Sequence, residues 1–181
     1  MSAAENTKHE KLIEAVKLRL GDAVLEVDRS FGDLVFVVNR SVLHDALAFL
    51  RNDNGFDLLL DIAGVDCLEL EDYNERFEIE YMLYSVANDH RARIRAAVPE
   101  TDLNLPTASD LWQSANWAER EAYEMFGFNF VGHPCLKRLL THHGFEGHPL
   151  RKDYPTMGGQ WCSTTSPMME QLEEEQGGVP E

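Results

Sequence analysis

Cysteine, basic side chains and long apolar runs are all scarce in this chain of 181 residues. Its three cysteines, Cys67, Cys135 and Cys162, are an odd number at wide spacings. Such a set excludes a disulfide framework and a CxxC metal site, and it is too small for a four-cysteine iron–sulfur cluster built from this chain alone. No run of about 18 apolar residues occurs either, so the sequence predicts no helix across a bilayer.

The first twenty residues lack the features of a targeting segment. They mix glutamate and lysine at helical spacing, whereas a secretory signal has an uninterrupted apolar stretch and a transit peptide is rich in arginine and serine. We therefore expect the protein to be made and kept in a prokaryotic cytoplasm.

Positive charge is also in short supply, because 16 lysines and arginines stand against 32 aspartates and glutamates, for a formal net charge of −16. So acidic a chain repels phosphate backbones, which argues against nucleic-acid binding. Residues 133–153 form a basic exception, and residues 156–181 form a polar acidic tail without a single basic residue. The basic segment is either a solvated loop or a contact for an acidic or carbonyl-rich partner. Its cations are Lys137, Arg138, Arg151 and Lys152.

The sequence lacks the motifs of nucleotide-binding enzymes and serine hydrolases. It has no Walker-type loop, no Gly-x-Gly-x-x-Gly turn and no Gly-x-Ser-x-Gly elbow. A metal-dependent enzyme is a competing hypothesis, although a zincin needs two histidines one turn apart on a helix and the relevant segment is broken by glycine and proline. Its ligands would be His133, His143, Glu146 and His148.

The hydrophobic pattern predicts one α/β domain. Leu12, Val16 and Leu20 recur at helical spacing in a helix that stops at Gly21, and a second helix follows Ser41, which we expect as its N-cap. Apolar strands are expected at residues 23–27, 34–38 and 58–63, the last of them closed by Gly64.

Residues 77–85 and 91–98 predict a hairpin, because both segments largely alternate apolar and polar side chains. A two-residue turn at residues 88–89 sets the side chain of Leu83 opposite that of Ile94. One face is then apolar and belongs to the core, and the other is predicted to be a salt-bridged surface. The core face carries Ile79, Tyr81 and Leu83, and the charged face carries Glu78, Glu80, Arg93 and Arg95.

A third helix and a long loop follow. Residues 116–119 resemble a capping box that opens the helix, and Gly127 ends it. Beyond Phe130 no periodicity persists, but Gly-His-Pro occurs at residues 132–134 and again at 147–149. Each proline favours an extended conformation at the preceding histidine, which makes the loop rigid at these corners. Long ordered loops are uncommon unless they are functional, so this segment is the candidate functional region.

Three motifs in this region form an unusual combination. They are Glu119-Arg120-Glu121-x-Tyr123-x-Met125-Phe126-Gly127, Phe130-x-Gly132-His133-Pro134 and Glu146-Gly147-His148-Pro149-Leu150-Arg151-Lys152-Asp153-Tyr154-Pro155. The combination resembles the signature region of one subunit family of proton-pumping NADH-quinone oxidoreductase, the C-type or 30-kilodalton-type subunit of respiratory complex I. Weaker similarity extends towards the amino terminus, so the resemblance covers residues 10–155.

The resemblance implies both a fold and a role. The fold class is α/β (α+β), a mixed β-sheet flanked by helices with an extended C-terminal arm, divided into a domain at 1–130, a docking loop at 131–155 and a tail at 156–181. The role is that of a non-catalytic structural subunit of the peripheral arm, on the cytoplasmic side of the membrane and in contact with the membrane only through the complex. The chain itself binds no cofactor, whereas FMN and iron–sulfur clusters belong to partner subunits.

The implied partners are the large quinone-site subunit of the D type and the iron–sulfur subunits of the B and I types. The corresponding subunit of a related membrane-bound hydrogenase is an alternative that charge and length do not separate. We expect basic side chains of the loop to bind partner carboxylates or carbonyls, and aromatic side chains to anchor the dry centre of the contact. The sequence does not sort these anchors from core residues among Trp117, Tyr123, Phe126, Phe128, Phe130 and Tyr154.

The predicted interface is therefore a set of seventeen residues in the signature region. They are Glu119, Arg120, Glu121, Tyr123, Phe126, Gly132, His133, Pro134, Arg138, Glu146, Gly147, His148, Pro149, Leu150, Arg151, Lys152 and Asp153.

Overall fold

The computed structural model describes residues 3–70, 73–142 and 144–157, and it describes side chains from residue 8 onward. Within these ranges the chain forms three α-helices and seven β-strands. In chain order they are α1 (Ala3–Leu20), β1 (Val24–Ser30), β2 (Asp33–Val38), α2 (Leu43–Asn54), β3 (Leu58–Asp66), β4 (Phe77–Ser85), β5 (His90–Val98), β6 (Asn104–Pro106), α3 (Ala115–Phe126) and β7 (Asn129–Val131).

Five strands form one mixed sheet in the order β1-β2-β5-β4-β3. β2 and β5 are parallel, and the other neighbouring pairs are antiparallel. The apolar strand β2 lies between two neighbours, inside the sheet. β6 and β7 form a separate parallel pair. The predicted fold class, a mixed sheet flanked by helices, is confirmed.

The three helices pack against the same face of the sheet. Val16 of α1, Leu47 of α2 and Met125 of α3 belong to one buried cluster that also contains Tyr81 of β4 and Ile94 of β5. Because strand side chains alternate between faces, the neighbours of these strand residues point away from the helices. The opposite face carries the charged side chains of β4 and β5 together with Val35, Val37 and Met82, and no helix of the described part of the chain covers it.

The hairpin of β4 and β5 has the predicted faces, but its predicted turn and register are wrong. Leu83 pairs with Ala92 rather than with Ile94. Residues 86–89 form a four-residue connection in which Asp89 adopts a φ of 48°. The register differs by two residues, which leaves every side chain on its predicted face because the strand repeat is also two.

Salt bridges cover the polar face of this hairpin, as predicted. Arg93 lies 2.8 Å from Asp33 and 3.1 Å from Glu80, and Arg95 lies 2.5 Å from Glu78. Both glutamates are buried although no helix of the described residues lies above them, and both are ion-paired with these arginines.

Two predicted helix caps are wrong. A 3-10 turn at Arg40–Val42 precedes α2, and the side chain of Asn39 accepts a hydrogen bond from the backbone N–H of Ser41 at 3.0 Å. Asn39 therefore caps this turn, and α2 itself begins after Val42 without a side-chain cap, so Ser41 is not its N-cap. α3 begins at Ala115 without a side-chain cap, and the predicted capping box does not form because Glu119 is turned into the interior.

β3 continues past Gly64 to Asp66, so the prediction that Gly64 closes the strand is wrong. Gly64 instead permits close contact between β3 and α3. A Cβ atom at this position would lie 2.5 Å from Cδ2 of Phe126 and 2.8 Å from Cε2 of Phe128. The packing of α3 on the sheet therefore depends on this glycine.

After β7 the described residues contain neither helix nor strand. We refer to residues 132–157 as the arm. The arm packs against α3 and forms several hydrogen bonds with it.

Candidate functional site

The arm caps the C-terminal end of α3. The carbonyl oxygens of residues 124, 125 and 126 each face a group of the arm. His148 Nδ1 lies 2.9 Å from the carbonyl oxygen of residue 124. The backbone N–H of Leu150 donates to that of residue 125 at 3.2 Å, and Arg151 Nε donates to that of residue 126 at 2.7 Å. These carbonyls have no partner within a helix and carry its partial negative charge, which favours a guanidinium group nearby. The second Gly-His-Pro segment is therefore part of a helix cap.

The protonation of His148 follows from this contact. A carbonyl oxygen can only accept, so Nδ1 carries the proton. Burial lowers the pKa of His148 below its ordinary value, and the nearby guanidinium of Arg151 lowers it further. The neutral ring is thus the form that fits this cap.

Gly127 makes room for the capping side chains. It ends α3 with a φ of 88°, and its N–H donates to the carbonyl of Tyr123 at 2.9 Å. A Cβ atom here would lie 2.5 Å from Nη2 of Arg151 and 2.8 Å from Nε2 of His148. Only glycine meets both the backbone requirement and the steric one.

The carboxylate of Glu124 holds the middle of the arm. It accepts backbone hydrogen bonds from Leu139, Leu140 and Thr141 at 2.6, 2.8 and 2.5 Å, and the hydroxyl of Thr141 donates to it as well. The side chain is fully buried. Burial alone would raise the pKa of Glu124, but these four hydrogen bonds lower it to about 2. Glu124 is therefore ionised and fixes the arm against α3.

Arg120 and His133 fasten the start of the arm. Arg120 donates to the backbone carbonyls of Lys137 at 2.9 Å and Arg138 at 3.0 Å. His133 accepts a hydrogen bond from the N–H of Cys135 through Nδ1 at 3.0 Å, so its Nε2, 3.1 Å from the carbonyl of Asn116, is the donor there. Both residues act inside the chain.

Glu119 is a buried carboxyl group at the base of α3. Its oxygens accept a hydrogen bond from the N–H of Ala108 at 2.5 Å and from the hydroxyl of Thr107 at 2.6 Å. Burial raises the pKa of Glu119 to about 7, because the two hydrogen bonds offset only part of the desolvation. The group connects α3 to the turn that follows β6.

Glu119 predicts a measurable pH dependence. A carboxyl with a raised folded-state pKa binds its proton more tightly in the folded state, so its contribution is complete below about pH 4.5 and is lost as the pH rises through 7. We expect the free energy of unfolding, wild type minus Glu119→Gln, to be about 3 kcal/mol higher at pH 4.5 than at pH 8. Urea unfolding of both proteins at pH 4.5 and pH 8 measures this difference. His90 and His148 titrate in both proteins, so their contributions cancel when the variant is subtracted from wild type. A difference that does not change with pH would contradict the assignment.

Asp66, at the end of β3, holds the distal part of the arm. Its Oδ2 accepts a hydrogen bond from the N–H of Lys152 at 2.8 Å and lies 3.1 Å from Arg76 Nη2. The same nitrogen lies 2.8 Å from Asp153. Burial alone would raise the pKa of Asp66, but the hydrogen bonds from Arg76 and Lys152 bring it below its ordinary value. An ion-paired cluster therefore joins the sheet to the arm.

Several of the predicted interface residues bind within the chain, which was not expected from the sequence. Their role towards a partner stays a prediction. Those with intrachain polar contacts include Glu119, Arg120, Tyr123, Phe126, His133, Arg138, His148, Leu150, Arg151, Lys152 and Asp153. Three residues that organise this site were not predicted from the sequence, namely Asp66, Arg76 and Glu124. Gly127 was predicted as the end of α3, which is confirmed, but its contact with the arm was not predicted.

The structure sorts the aromatic residues that the sequence could not. Phe126, Phe128 and Phe130 belong to the core, and Tyr123 and Tyr154 are half-buried. Trp117 is 63% exposed. Exposed apolar side chains of β7 and the arm are Val131, Leu140, Leu150 and Met157, and exposed polar or small members of the predicted set are Glu121, Gly132, Pro134, Glu146, Gly147, Lys152 and Asp153.

The competing metal hypothesis gains no support from the described residues. Among them, no group of three or more His, Cys, Asp or Glu side chains is placed to hold a metal ion. The rings of His133 and His148 both face backbone carbonyls. The remaining proposed histidine, His143, lies outside the described residues, as do Cys162 and residues 158–181 of the predicted tail.

The helices in the described ranges do not meet the requirements for crossing a bilayer. None of them has both the length and the apolar composition that a membrane span needs.

Known proteins resemble this chain over most of its length. The family model for the respiratory-chain NADH dehydrogenase 30 Kd subunit matches residues 36–160. The C subunit of NADH-quinone oxidoreductase from Novosphingobium aromaticivorans is 40% identical over 157 residues, covering 87% of this chain and 50% of that protein. The protein of the same name from Ruegeria pomeroyi is 43% identical over 145 residues, covering 79% of this chain and 70% of that protein. The chain thus spans half the length of the first relative.

Solved structures agree with the sequence comparisons. Nqo5, as a trypsin-resistant fragment (1-134), has a TM-score of 0.64 at 35% identity, covering 71% of this chain and 99% of that chain. A chain of the membrane-bound sulfane sulfur reductase, an archaeal respiratory membrane complex, has a TM-score of 0.69 at 21% identity, covering 93% and 91%, which shows likeness of fold alone. The family match extends over more than half of the sequence and includes the three signature motifs. The resemblance is therefore confirmed, and the chain belongs to the family of the respiratory-chain NADH dehydrogenase 30-kilodalton subunit.

Proposed function

We propose that this chain is a non-catalytic structural subunit in the peripheral arm of an NADH-quinone oxidoreductase. Family membership and the names of its relatives support this role. The chain carries no redox cofactor of its own, and FMN and iron–sulfur clusters belong to neighbouring subunits. It is held on the cytoplasmic side of the membrane through the complex.

The observation that carries the proposal is the way in which the arm is ordered. Its polar groups bind α3 and Asp66, while Leu140 and Leu150 remain 61% and 52% exposed. A loop that is already ordered loses less conformational entropy when it binds a partner. Exposed apolar side chains on such a loop can anchor the dry centre of an interface. The division into a domain at 1–130, a docking loop at 131–155 and a tail at 156–181 is part of the same proposal.

The partners are the large quinone-site subunit of the D type and the iron–sulfur subunits of the B and I types. Arg151 and His148 act first by closing the arm on α3, since their side chains bind its carbonyl groups. Direct contact with the partner falls to the exposed apolar side chains and to cations such as Lys137 and Lys152, which are exposed.

Aspartate at the two exposed leucines tests this assignment. We expect Leu140→Asp with Leu150→Asp to reduce recovery of the chain with the purified complex at least tenfold, because a charge would be desolvated in the contact. The melting temperature of the isolated chain should change little, since both side chains are mostly exposed.

Leu18→Asp is the matched control, because Leu18 is 90% exposed on α1. It should leave recovery unchanged. If the double variant and the control are recovered with the complex equally well, the chain does not dock through the arm. If the wild-type chain does not co-purify with iron–sulfur subunits, the proposed function itself is wrong.

A further inference from the structure

The helix-free face of the sheet carries an excess of negative charge. Strand register places six carboxylates and three guanidinium groups on it. Arg93 and Arg95 are already paired with acids of the same face. The carboxylates therefore outnumber the guanidinium groups of this face, and its net charge is negative among the described residues. The acids are Glu26, Asp28, Asp33, Asp61, Glu78 and Glu80, and the bases are Arg91, Arg93 and Arg95.

A groove of about 540 Å³ crosses this face beside the edge strand β1. Leu25 and Tyr73 are 64% and 41% exposed on its rim, although both present large apolar surfaces. Leu25 protrudes because the register of β1 is irregular at this residue. The remaining lining includes Glu26, Val37, Glu75 and Arg95.

Some charged side chains of the groove have an ion-pair partner and others do not. Arg95 is bound by Glu78 at 2.5 Å and also faces Glu80 at 3.6 Å. Glu26 and Glu75 are exposed, and neither has a cation within 4 Å among the described residues. Two available carboxylates beside a tyrosine ring and a leucine form a surface that suits an aliphatic stem ending in a cation.

We propose that this groove binds a basic segment of a neighbouring protein subunit, with a lysine or arginine side chain between Glu26 and Glu75 and its stem across Leu25 and Tyr73. The proposal rests on the proposed function, since it requires an assembly, and it adds a second contact to that of the arm. A divalent cation fits less well, because no described group of three carboxylates or other ligands is placed to hold one.

Photocrosslinking identifies the occupant in the assembled complex. With Leu25→p-benzoylphenylalanine in the full chain, we expect a crosslink to a different subunit, in a peptide that carries lysine or arginine within a few residues of the attachment point. The same replacement at Leu18, which is 90% exposed on α1, should not crosslink to that peptide. No crosslink from position 25, a crosslink to a second copy of this chain, or attachment within an acidic or neutral segment would overturn the proposal.

Charge reversal provides an independent measurement. We expect Glu26→Lys with Glu75→Lys to raise the fraction of this chain released from the complex about tenfold at fixed salt. Glu10→Lys with Glu14→Lys is the matched control, because these residues are exposed on α1, and it should release no more than wild type. If the wild-type chain joins the complex and both double variants are released from it equally, the groove contact is refuted. The proposed function would still stand in that case.

Discussion

Replacing Glu124 with alanine is expected to destabilise the protein by about 3 kcal/mol and to release the middle of the arm. The carboxylate is fully buried and accepts four hydrogen bonds from residues 139–141. Its removal leaves three part-buried backbone N–H groups without an acceptor, and each such group carries part of a desolvation cost. Hydrogen exchange of the amides of residues 139–141 should accelerate, and urea unfolding should report the loss of stability.

Glu121→Ala is the control for this substitution, because Glu121 lies on the same helix and is exposed. It should change the free energy of unfolding by no more than about 0.5 kcal/mol. Unchanged exchange at residues 139–141 in Glu124→Ala would refute the assigned role.

Should Glu124→Ala fail to fold, the wild-type protein still provides a test through pH. The pKa of Glu124 is about 2 when folded against an ordinary value of 4.5, so its stabilisation is present above pH 4.5 and is lost as the pH falls towards 2. After correction for intrinsic rates, amide protection at residues 139–141 should fall over that interval. Protection that persists at pH 2 would contradict the role of the carboxylate.

Short-range patterns predicted the sheet well. The alternation in β4 and β5 assigned every side chain to its face, because the strand repeat depends only on the local sequence. The loop length and register were wrong because Asn88 and Asp89 suit either a two-residue turn or the end of a longer connection that includes Val86 and Ala87, and local propensity does not choose between the two. Burial of Glu119 could have been inferred, since it falls on the same helical face as Ala115, Ala122 and Phe126.

The internal connections of the arm were not predictable from local patterns. The partners of Glu124 are backbone N–H groups 15 to 17 residues away, and a backbone group has no sequence signature. Asp66 and Lys152 are separated by 86 residues. The basic side chains of the signature region were interpreted as contacts for another molecule because they are cationic, whereas Arg120 of α3 and Arg151 of the arm donate to carbonyl groups of their own chain. Motif resemblance supplied the family, but within α3 and the arm only the structure distinguished inward from outward side chains.

Replacing Gly64 with alanine is expected to destabilise the protein by about 3 kcal/mol, although alanine suits a strand backbone at least as well as glycine does. The new methyl group would lie 2.5 Å from Phe126 and 2.8 Å from Phe128, which stack on each other with ring centroids 5.8 Å apart. Phe128 is wholly buried and packs edge-on against Phe77, so its ring cannot move away without disturbing the core. Thermal and urea unfolding measure the effect.

Gly144→Ala is the control for the same chemical change, because the nearest atom to its new Cβ would be 3.8 Å away, in His142. It should leave the stability within about 0.5 kcal/mol of wild type. Adding Phe126→Leu to Gly64→Ala should recover part of the lost stability, since the smaller side chain vacates the space that the methyl group enters, and this coupling distinguishes steric overlap from a general strand effect. Two outcomes would contradict this role of Gly64. One is that the effects of Gly64→Ala and Phe126→Leu on stability simply add, and the other is that Gly64→Ala is as stable as wild type. In either case the close packing of β3 on α3 would not be what holds the end of the helix to which the arm is attached.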